Sequence, residues 1–234
     1  MVIGSLPEAA ERVVRDLAAG KNCPVFAITE RFGNDPLGYP EPNLPGDYQR
    51  VNAAIALLVG EVLSERFPIT AAAILQGLRQ VDWPGRWQRL EVSGRNLVLD
   101  CTHNAEGAKV LDHNLTRLGE ETGESPIIVT GTLGQPRAAS ILPVVARHAR
   151  EIHLVKPRQP RACSFEEMEA HLSEFPVKKR HRSEVDDLFP FSGECQVGYP
   201  GDTVVVSGSI YLIGEICERL FHRAPVGQDS LQDI

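Results

Sequence analysis

The residues best placed to do chemistry fall between positions 83 and 104. Trp83-Pro84-Gly85-Arg86 is a turn with an arginine at its exit. Pro84 fixes φ, Gly85 supplies the freedom a tight turn needs, and Arg86 leaves with its planar fork free. Leu99-Asp100-Cys101-Thr102-His103-Asn104 then supplies a carboxylate, an imidazole and an amide able to cap a helix. A guanidinium, a carboxylate, an imidazole and a helix N-terminus within one βα turn suit a phosphorylated or carboxylated ligand. The same residues admit a plainer reading, a surface arginine and an aspartate that caps the next turn. Asp100 and His103 stand three apart, a spacing that metal ligands also use, but no second histidine cluster in the linear sequence supports it, and no metal ligand is assigned. Capping or anion contact suits His103 better.

Other candidates are more ambiguous. Ser207-Gly208-Ser209 ends an apolar strand and opens a helix, so Ser209 is either an N-cap or part of a carboxylate or phosphate site. Gln49 and Asn52 lie on one side of a helix, where amides are usually solvated. Gly131-Thr132-Leu133-Gly134 follows a strand but is not G-x-G-x-x-G, which disfavours a dinucleotide site and a nicotinamide-dependent oxidoreductase. The phosphate loop G-x-x-x-x-G-K-[ST] is absent from the 234 residues.

The elements that must position these residues can be read from periodicity. A helix over 7–19, a short strand over 24–28 and an irregular stretch over 30–45 come first. Val51, Ile55, Leu58 and Val62 give one face of a helix starting at Asp47, and Thr70 caps another through about Leu78. The short strand has no obvious sheet to join. From position 86 strands and helices alternate: strands at 88–92, 96–100, 126–130, 151–155, 177–181 and 203–207, helices at 105–118, 137–149, 165–174 and 208–222, with 183–189 unassigned. The first two strands form a hairpin through Ser93-Gly94-Arg95. Pro143 requires the 137–149 helix to start late or kink, and the polar tail over 225–234 should fray. Ile127-Ile128-Val129 and Val204-Val205-Val206 are apolar on successive residues, as strands buried on both faces are. The class is α/β: a mostly parallel Rossmann-like sheet flanked by helices, preceded by a mainly helical segment.

A formal charge of −7 without a basic run argues against a nucleic-acid surface. Five scattered cysteines with no C-x-x-C pair form neither a disulfide framework nor a zinc site, and a reducing cytoplasm fits them. The first dozen residues turn acidic, unlike a signal peptide, and the most apolar stretch, 51–60, is too short to span a bilayer.

Four segments together resemble one family. Gly46-Asp47-Tyr48-Gln49-Arg50-Val51-Asn52-Ala53-Ala54 is similar to a G-x-h-Q-x-x-N-A-A helix, and Trp83-Pro84-Gly85-Arg86 to a W-P-G-R turn. Asp100-Cys101-Thr102-His103-Asn104 resembles D-G-A-H-N-P, and Val206-Ser207-Gly208-Ser209-Ile210-Tyr211-Leu212 a closing G-S-L-Y-L. The family is folylpolyglutamate synthase/dihydrofolate synthase, a branch of the Mur ligases, and the likeness is to its C-terminal portion. It implies ATP-dependent amide-bond formation, in which a folate or dihydropteroate carboxylate takes the γ-phosphate of ATP and L-glutamate displaces phosphate from the acyl phosphate. It further implies that Gln49, Asn52, Arg86 and Asp100 serve the nucleotide, and that His103 and Ser209 lie near the incoming glutamate, where imidazole and hydroxyl can hold its carboxylates.

Cys101, Thr102 and Ala105 stand where the family pattern has Gly, Ala and Pro. Gly134-Gln135-Pro136-Arg137 stands where an Asp-Lys pair is common, which changes the charge of that loop. By the same resemblance, residues 1–82 are expected to be the tail end of the ATP-binding domain and 83–234 the C-terminal α/β domain. The phosphate loop and most Mg2+ ligands are then expected in an N-terminal half that this chain lacks, leaving it inactive alone. The alternative is a non-catalytic α/β binding module derived from that family. The expected partners are small molecules and the missing half, with no nucleic acid and no membrane.

Overall fold

The computed structural model describes residues 1–221 except positions 45, 178, 191 and 192; the tail expected to fray lies outside the described residues. The chain forms two compact units, Met1–Trp83 and Pro84–Ile234. Among the described residues no helix is long and apolar enough to cross a membrane.

The first unit is mainly helical. Strand β1 (Val2–Ile3) pairs in parallel with β2 (Phe26–Ala27), with helix α1 (Glu8–Gly20) as the crossover. The short strand therefore has a partner after all; two residues are too few for a periodic signal, and only the pairing reveals β1. Ile28–Phe32 forms helix α2 and Pro36–Gly38 a 3-10 turn, within residues assigned to strand and irregular chain. Asp35 accepts from the Leu37 N–H at 3.0 Å to start that turn, so its proline punctuates rather than disorders the segment. Helix α3 (Asp47–Leu63) carries the expected face: Leu58 is buried with Ile28, Tyr39 and Ala54, and Val51, Ile55 and Val62 pack against them. Thr70 caps α4 (Ala71–Arg79) by accepting from the Ala73 N–H at 3.1 Å.

The second unit is a doubly wound α/β sheet. Strands β3 (Gln88–Val92) and β4 (Arg95–Asp100) form the antiparallel hairpin; β5 (Ile127–Gly131), β6 (Glu151–Leu154), β7 (Lys179–Arg182) and β8 (Thr203–Gly208) join in parallel. The order is β3-β4-β8-β5-β6-β7, so the last strand inserts at the centre. Helices α5 (Ala105–Thr122), α6 (Gln135–His148) and α7 (Phe165–Ala170) cover one face, with Leu111, Leu115, Ile141, Leu142 and Met168 packed against Val98, Ile128 and Val205. Helices α8 (Val185–Leu188) and α9 (Ile210–Phe221) cover the other through Val185, Leu212, Ile213 and Ile216, against Leu99, Val129 and Val206. Each of these buried aliphatic side chains contributes roughly 1.5–3 kcal/mol of burial free energy.

Three expectations shift. Helix α6 starts at Gln135, not late, and runs through Pro143. The proline removes one backbone bond, and the buried face of Ile141, Leu142, Val144 and Val145 holds the helix across the gap. Helix α7 ends at Ala170 rather than 174, giving way to turns closed on Met168, Glu169 and Ala170 carbonyls. The unassigned 183–189 contains the single turn of α8, which tucks Val185 and Leu188 into the core.

Candidate active site at the carboxyl end of the sheet

The chain leaves β4 through α5 and returns in β5, yet β8 lies between those strands, making the topological switch point at which open α/β sheets bind ligands. Asp100, Ser207 and Thr130 are register partners across β4, β8 and β5. All are buried, and they alternate with Leu99, Val206 and Val129, so they point to the α5–α6 face. The hydroxyls of Thr130, Thr132 and Ser207 find no hydrogen-bond partner among the described residues. Buried hydroxyls are normally satisfied, so a group of three beside a cleft marks a polar site rather than core.

Asp100 sits at the end of β4 with both oxygens engaged. Its Oδ1 accepts from the Trp87 backbone N–H at 3.2 Å and its Oδ2 from the Thr102 hydroxyl at 2.5 Å. Burial pushes its pKa up, and the Thr102 hydroxyl, the Trp87 N–H and the charge of Arg86 pull it partly back. Cys101 donates its backbone N–H to the Gly85 carbonyl at 2.7 Å, so two bonds clamp the 84–87 turn onto the strand end. Trp87, with φ 50°, swings its indole into the core and leaves Arg86 half-buried beside the carboxylate. The Arg86 guanidinium makes no hydrogen bond or ion pair among the described residues. Burial also pushes the Cys101 thiol up to about 12, so it is no nucleophile.

His103 and Ser209 line one small cleft with Thr132, Leu133, Arg137 and Ile141; its volume is about 10 Å3, room for about one water. His103 Nδ1 lies 3.2 Å from the Cys101 carbonyl oxygen. A carbonyl only accepts, so Nδ1 carries the proton and Nε2 of the neutral ring is an acceptor. Asn104 caps α5 by accepting from the Gly107 N–H at 2.7 Å, which fixes the turn carrying His103. Ser209 donates its N–H to the Gly131 carbonyl at 2.9 Å, and its hydroxyl accepts from the Tyr211 N–H at 3.2 Å. Capping and ligand contact are compatible there, because the hydroxyl proton is still available to donate. The close approach of β8 to β5 needs glycine: a Cβ on Gly208, at φ 137°, would stand 2.4 Å from the Gly131 carbonyl.

The pairs Arg86 with Asp100 and His103 with Ser209 are thus each brought together in the second unit. Gln49 and Asn52 meet in the first, where the exposed Asn52 donates its side-chain amide to the buried Gln49 carbonyl at 2.9 Å. Sequence reasoning missed Arg137 as a site residue. It stands half-buried in the first turn of α6, without an ion pair among the described residues, facing the cleft whose other polar groups are His103, Thr132 and Ser209. Its position just past Gly134 at a strand-to-helix turn was the available signal. The larger groove, about 420 Å3 between β3, β4 and the end of α5, opens at the other end of the sheet and contains none of these residues.

No protein-family model matches the chain. It is 26% identical over 184 residues to the folylpolyglutamate synthase of Lacticaseibacillus casei, covering 77% of this chain and 40% of that protein. It is 28% identical over 180 residues to the dihydrofolate synthase/folylpolyglutamate synthase of Bacillus subtilis, covering 76% and 40%. Among solved structures, the folylpolyglutamate synthase of Mycobacterium tuberculosis, complexed with ADP, superposes with a TM-score of 0.70 at 21% identity, covering 96% of this chain and 55% of that one. The bifunctional folylpolyglutamate synthase/dihydrofolate synthase of Yersinia pestis, complexed with AMPPNP and Mn ion, gives 0.63 at 22%, covering 94% and 52%. The structural likeness establishes the fold. The chain spans about two fifths of the length of the curated relatives it matches. Over most of its own length it resembles the folylpolyglutamate and dihydrofolate synthases, and the share of them that it covers fits their C-terminal portion.

Proposed function

We propose that this chain forms one wall of the active site of an ATP-dependent folate–glutamate ligase, contributing contacts to the nucleotide and to L-glutamate. The reaction begins when the carboxylate of a folate or dihydropteroate attacks the γ-phosphorus of ATP and ADP departs. The amine of glutamate then attacks the acyl carbon, phosphate leaves with the bonding electrons, and the amine proton passes to a base. The protein's part in such chemistry is positioning and neutralising developing charge.

The observation that carries the reading is the convergence of the polar side chains of His103, Arg137 and Ser209 at the carboxyl end of the sheet, backed by three hydroxyls without a partner among the described residues. Arg137 and the Ser209 hydroxyl present donors, which suit the glutamate carboxylates. With its Nδ1 proton committed to the Cys101 carbonyl, His103 has Nε2 left for a ligand, and in that tautomer Nε2 accepts, which suits the glutamate amine better than a carboxylate. Arg86 has its fork unspent and suits the triphosphate; Asp100, with both oxygens occupied, holds the turn that aims it. Gln49 and Asn52 are assigned to the nucleotide side through their likeness to the family helix.

Mg2+ is expected to assist phosphoryl transfer, but this cleft does not fit it. Its polar lining is basic and hydroxylic, and the adjacent carboxylate, Asp100, is buried and engaged. The ion and the phosphate loop are therefore assigned to a polypeptide segment beyond these 234 residues, and catalysis to the combination. Reduced thiols and these substrates suit the cytoplasm.

Nucleotide binding and glutamate-dependent phosphate release, measured with the full chain alone and mixed with a relative's phosphate-loop half, test the proposal. Release only in the mixture is expected. Ligation by the chain alone would overturn the composite site, and no release in any mixture would leave a non-catalytic module.

A further inference from the structure

The outer edge of the sheet carries a second cluster, remote in the sequence from the cleft. His153 on β6 and His181 on β7 are register partners, and their rings stack with centroids 4.8 Å apart. Glu151 Oε1 lies 3.2 Å from His153 Nε2 and 3.2 Å from His181 Nε2. The donor atoms of all three residues fall within 4.8 Å of one another. From these residues we infer a binding site for a divalent transition-metal ion of the zinc type, held by Glu151, His153 and His181.

Donor separations support it. Ligands about 2.1 Å from a tetrahedral zinc stand about 3.4 Å apart, and two of the pairs are already near that value. Two imidazoles and one carboxylate favour Zn2+, Co2+ or Ni2+ over Mg2+ or Ca2+, and three protein ligands leave one position for water. The orienting contact also exists: His153 Nδ1 is 3.0 Å from the Ser183 hydroxyl. A hydroxyl can accept as well as donate, so it supports the tautomer with Nδ1 protonated and Nε2 free for a metal.

The opposing reading is a hydrogen-bonded network centred on Glu151, to which Lys179 adds a cation 3.6 Å from Oε2. That network turns two imidazole nitrogens toward one carboxylate oxygen, and a dication satisfies all three donor atoms at once. Access is open from one side, since the His181 side chain is 46% exposed while Glu151 and His153 are largely covered. Because β7 pairs only with β6 among the described residues, the ion would staple the sheet's outer strand. Binding to the folded state alone raises the melting temperature by mass action.

Calorimetric titration of the full chain with Zn2+, with Mg2+ as comparison, tests the site. One equivalent of Zn2+ should bind, Mg2+ should not compete, and the melting temperature should rise with Zn2+ concentration. His181→Ala, at an exposed edge position, should weaken Zn2+ about a hundredfold, and Ser183→Ala about tenfold. In the unmutated chain, Zn2+ should shift the imidazole 15N resonances of both His153 and His181. Absence of saturable Zn2+ binding would overturn the site. So would Zn2+ binding that leaves those resonances in place and survives His181→Ala, since thiols or other histidines would then be the ligands.

Discussion

The Trp87 backbone N–H donates to Asp100 Oδ1 at 3.2 Å, tying the turn before the β3–β4 hairpin to the strand end that follows it. Asp100 also accepts from the Thr102 hydroxyl, so the carboxylate organises the peptide on both sides of itself. Asn at this position keeps an acceptor for the Trp87 N–H and gives Thr102 a donor, without a buried charge. Burial raises the folded-state pKa of Asp100, so its stabilising contribution belongs to the protonated form. That contribution is complete below the unfolded value of about 3.9 and is lost as pH rises through the folded pKa. Asp100→Asn is therefore expected to melt higher than the wild type at pH 7, with the gap closing toward pH 4. Thermal melts of both proteins across that range check it, and a wild type that stays ahead at pH 7 would show that the charge is repaid by a contact other than these.

Gly85 has little room for any other residue. Its φ is +75°, and an added Cβ would stand 2.7 Å from Cys101 Sγ and 2.8 Å from Ile213 Cγ2. Both neighbours belong to the packed face beneath α9. Gly85→Ala should lower unfolding free energy by about 2–3 kcal/mol, combining overpacking with the left-handed backbone. Denaturant titration measures the loss; a change below about 0.5 kcal/mol would mean that the turn swings away freely.

What could be read from the chain depended on range. The spacing of Ala108, Leu111, Leu115 and Leu118 and the amide of Asn104 are local, and α5 carries all four apolar residues buried under that cap. Successive apolar residues marked β5 and β8 as central strands, and both are buried throughout apart from Thr203. Strand β1 eluded the pattern because its evidence is a partner 24 positions away, Val2 beside Phe26. Helix α6 crosses Pro143 because tertiary packing outweighs the lost bond. Within the site, single residues were legible and their company was not: Arg137 reaches the cleft of His103 only after α6 docks. His153 and His181 become neighbours only through the register of β6 with β7.

Asp112 links two of the three helices that cover one face of the sheet. It receives His148 Nε2 at 2.7 Å and Arg147 at 3.0 Å, joining α5 to α6. The hydrogen bond from His148, followed by that from Arg147, holds its carboxyl below the usual carboxylate range. A depressed pKa gives stability that is present above the unfolded value of about 3.9 and is lost as pH falls through the folded one. Asp112→Asn should flatten the acid limb of the stability profile. At neutral pH it should cost no more than about 1 kcal/mol, because the carboxylate is partly exposed. Denaturation curves between pH 2.5 and 6 supply the comparison, and an unchanged acid limb would assign acid lability to other carboxylates.

Arg86 and Arg137 should separate kinetically if the proposed division of the cleft holds. Both guanidiniums are half-buried and without an ion pair among the described residues, yet Arg86 lies beside Asp100 and Arg137 beside His103 and Ser209. In a reconstituted ligase, Arg86→Ala removes a donor aimed at charge developing on the triphosphate, and kcat should fall about 10²-fold. Arg137→Ala removes a charge-assisted bond to a bound carboxylate, worth about 1.5–3 kcal/mol, so KM for glutamate should rise about tenfold or more at a nearly constant kcat. Arg137→Lys keeps the charge and loses the fork, and should recover only part of the affinity. Steady-state kinetics with ATP and glutamate varied in turn distinguish the two arginines. If both substitutions raised only the KM for ATP, Arg137 would belong to the nucleotide and the acceptor nitrogen of His103 would lose its proposed carboxylate-binding neighbour.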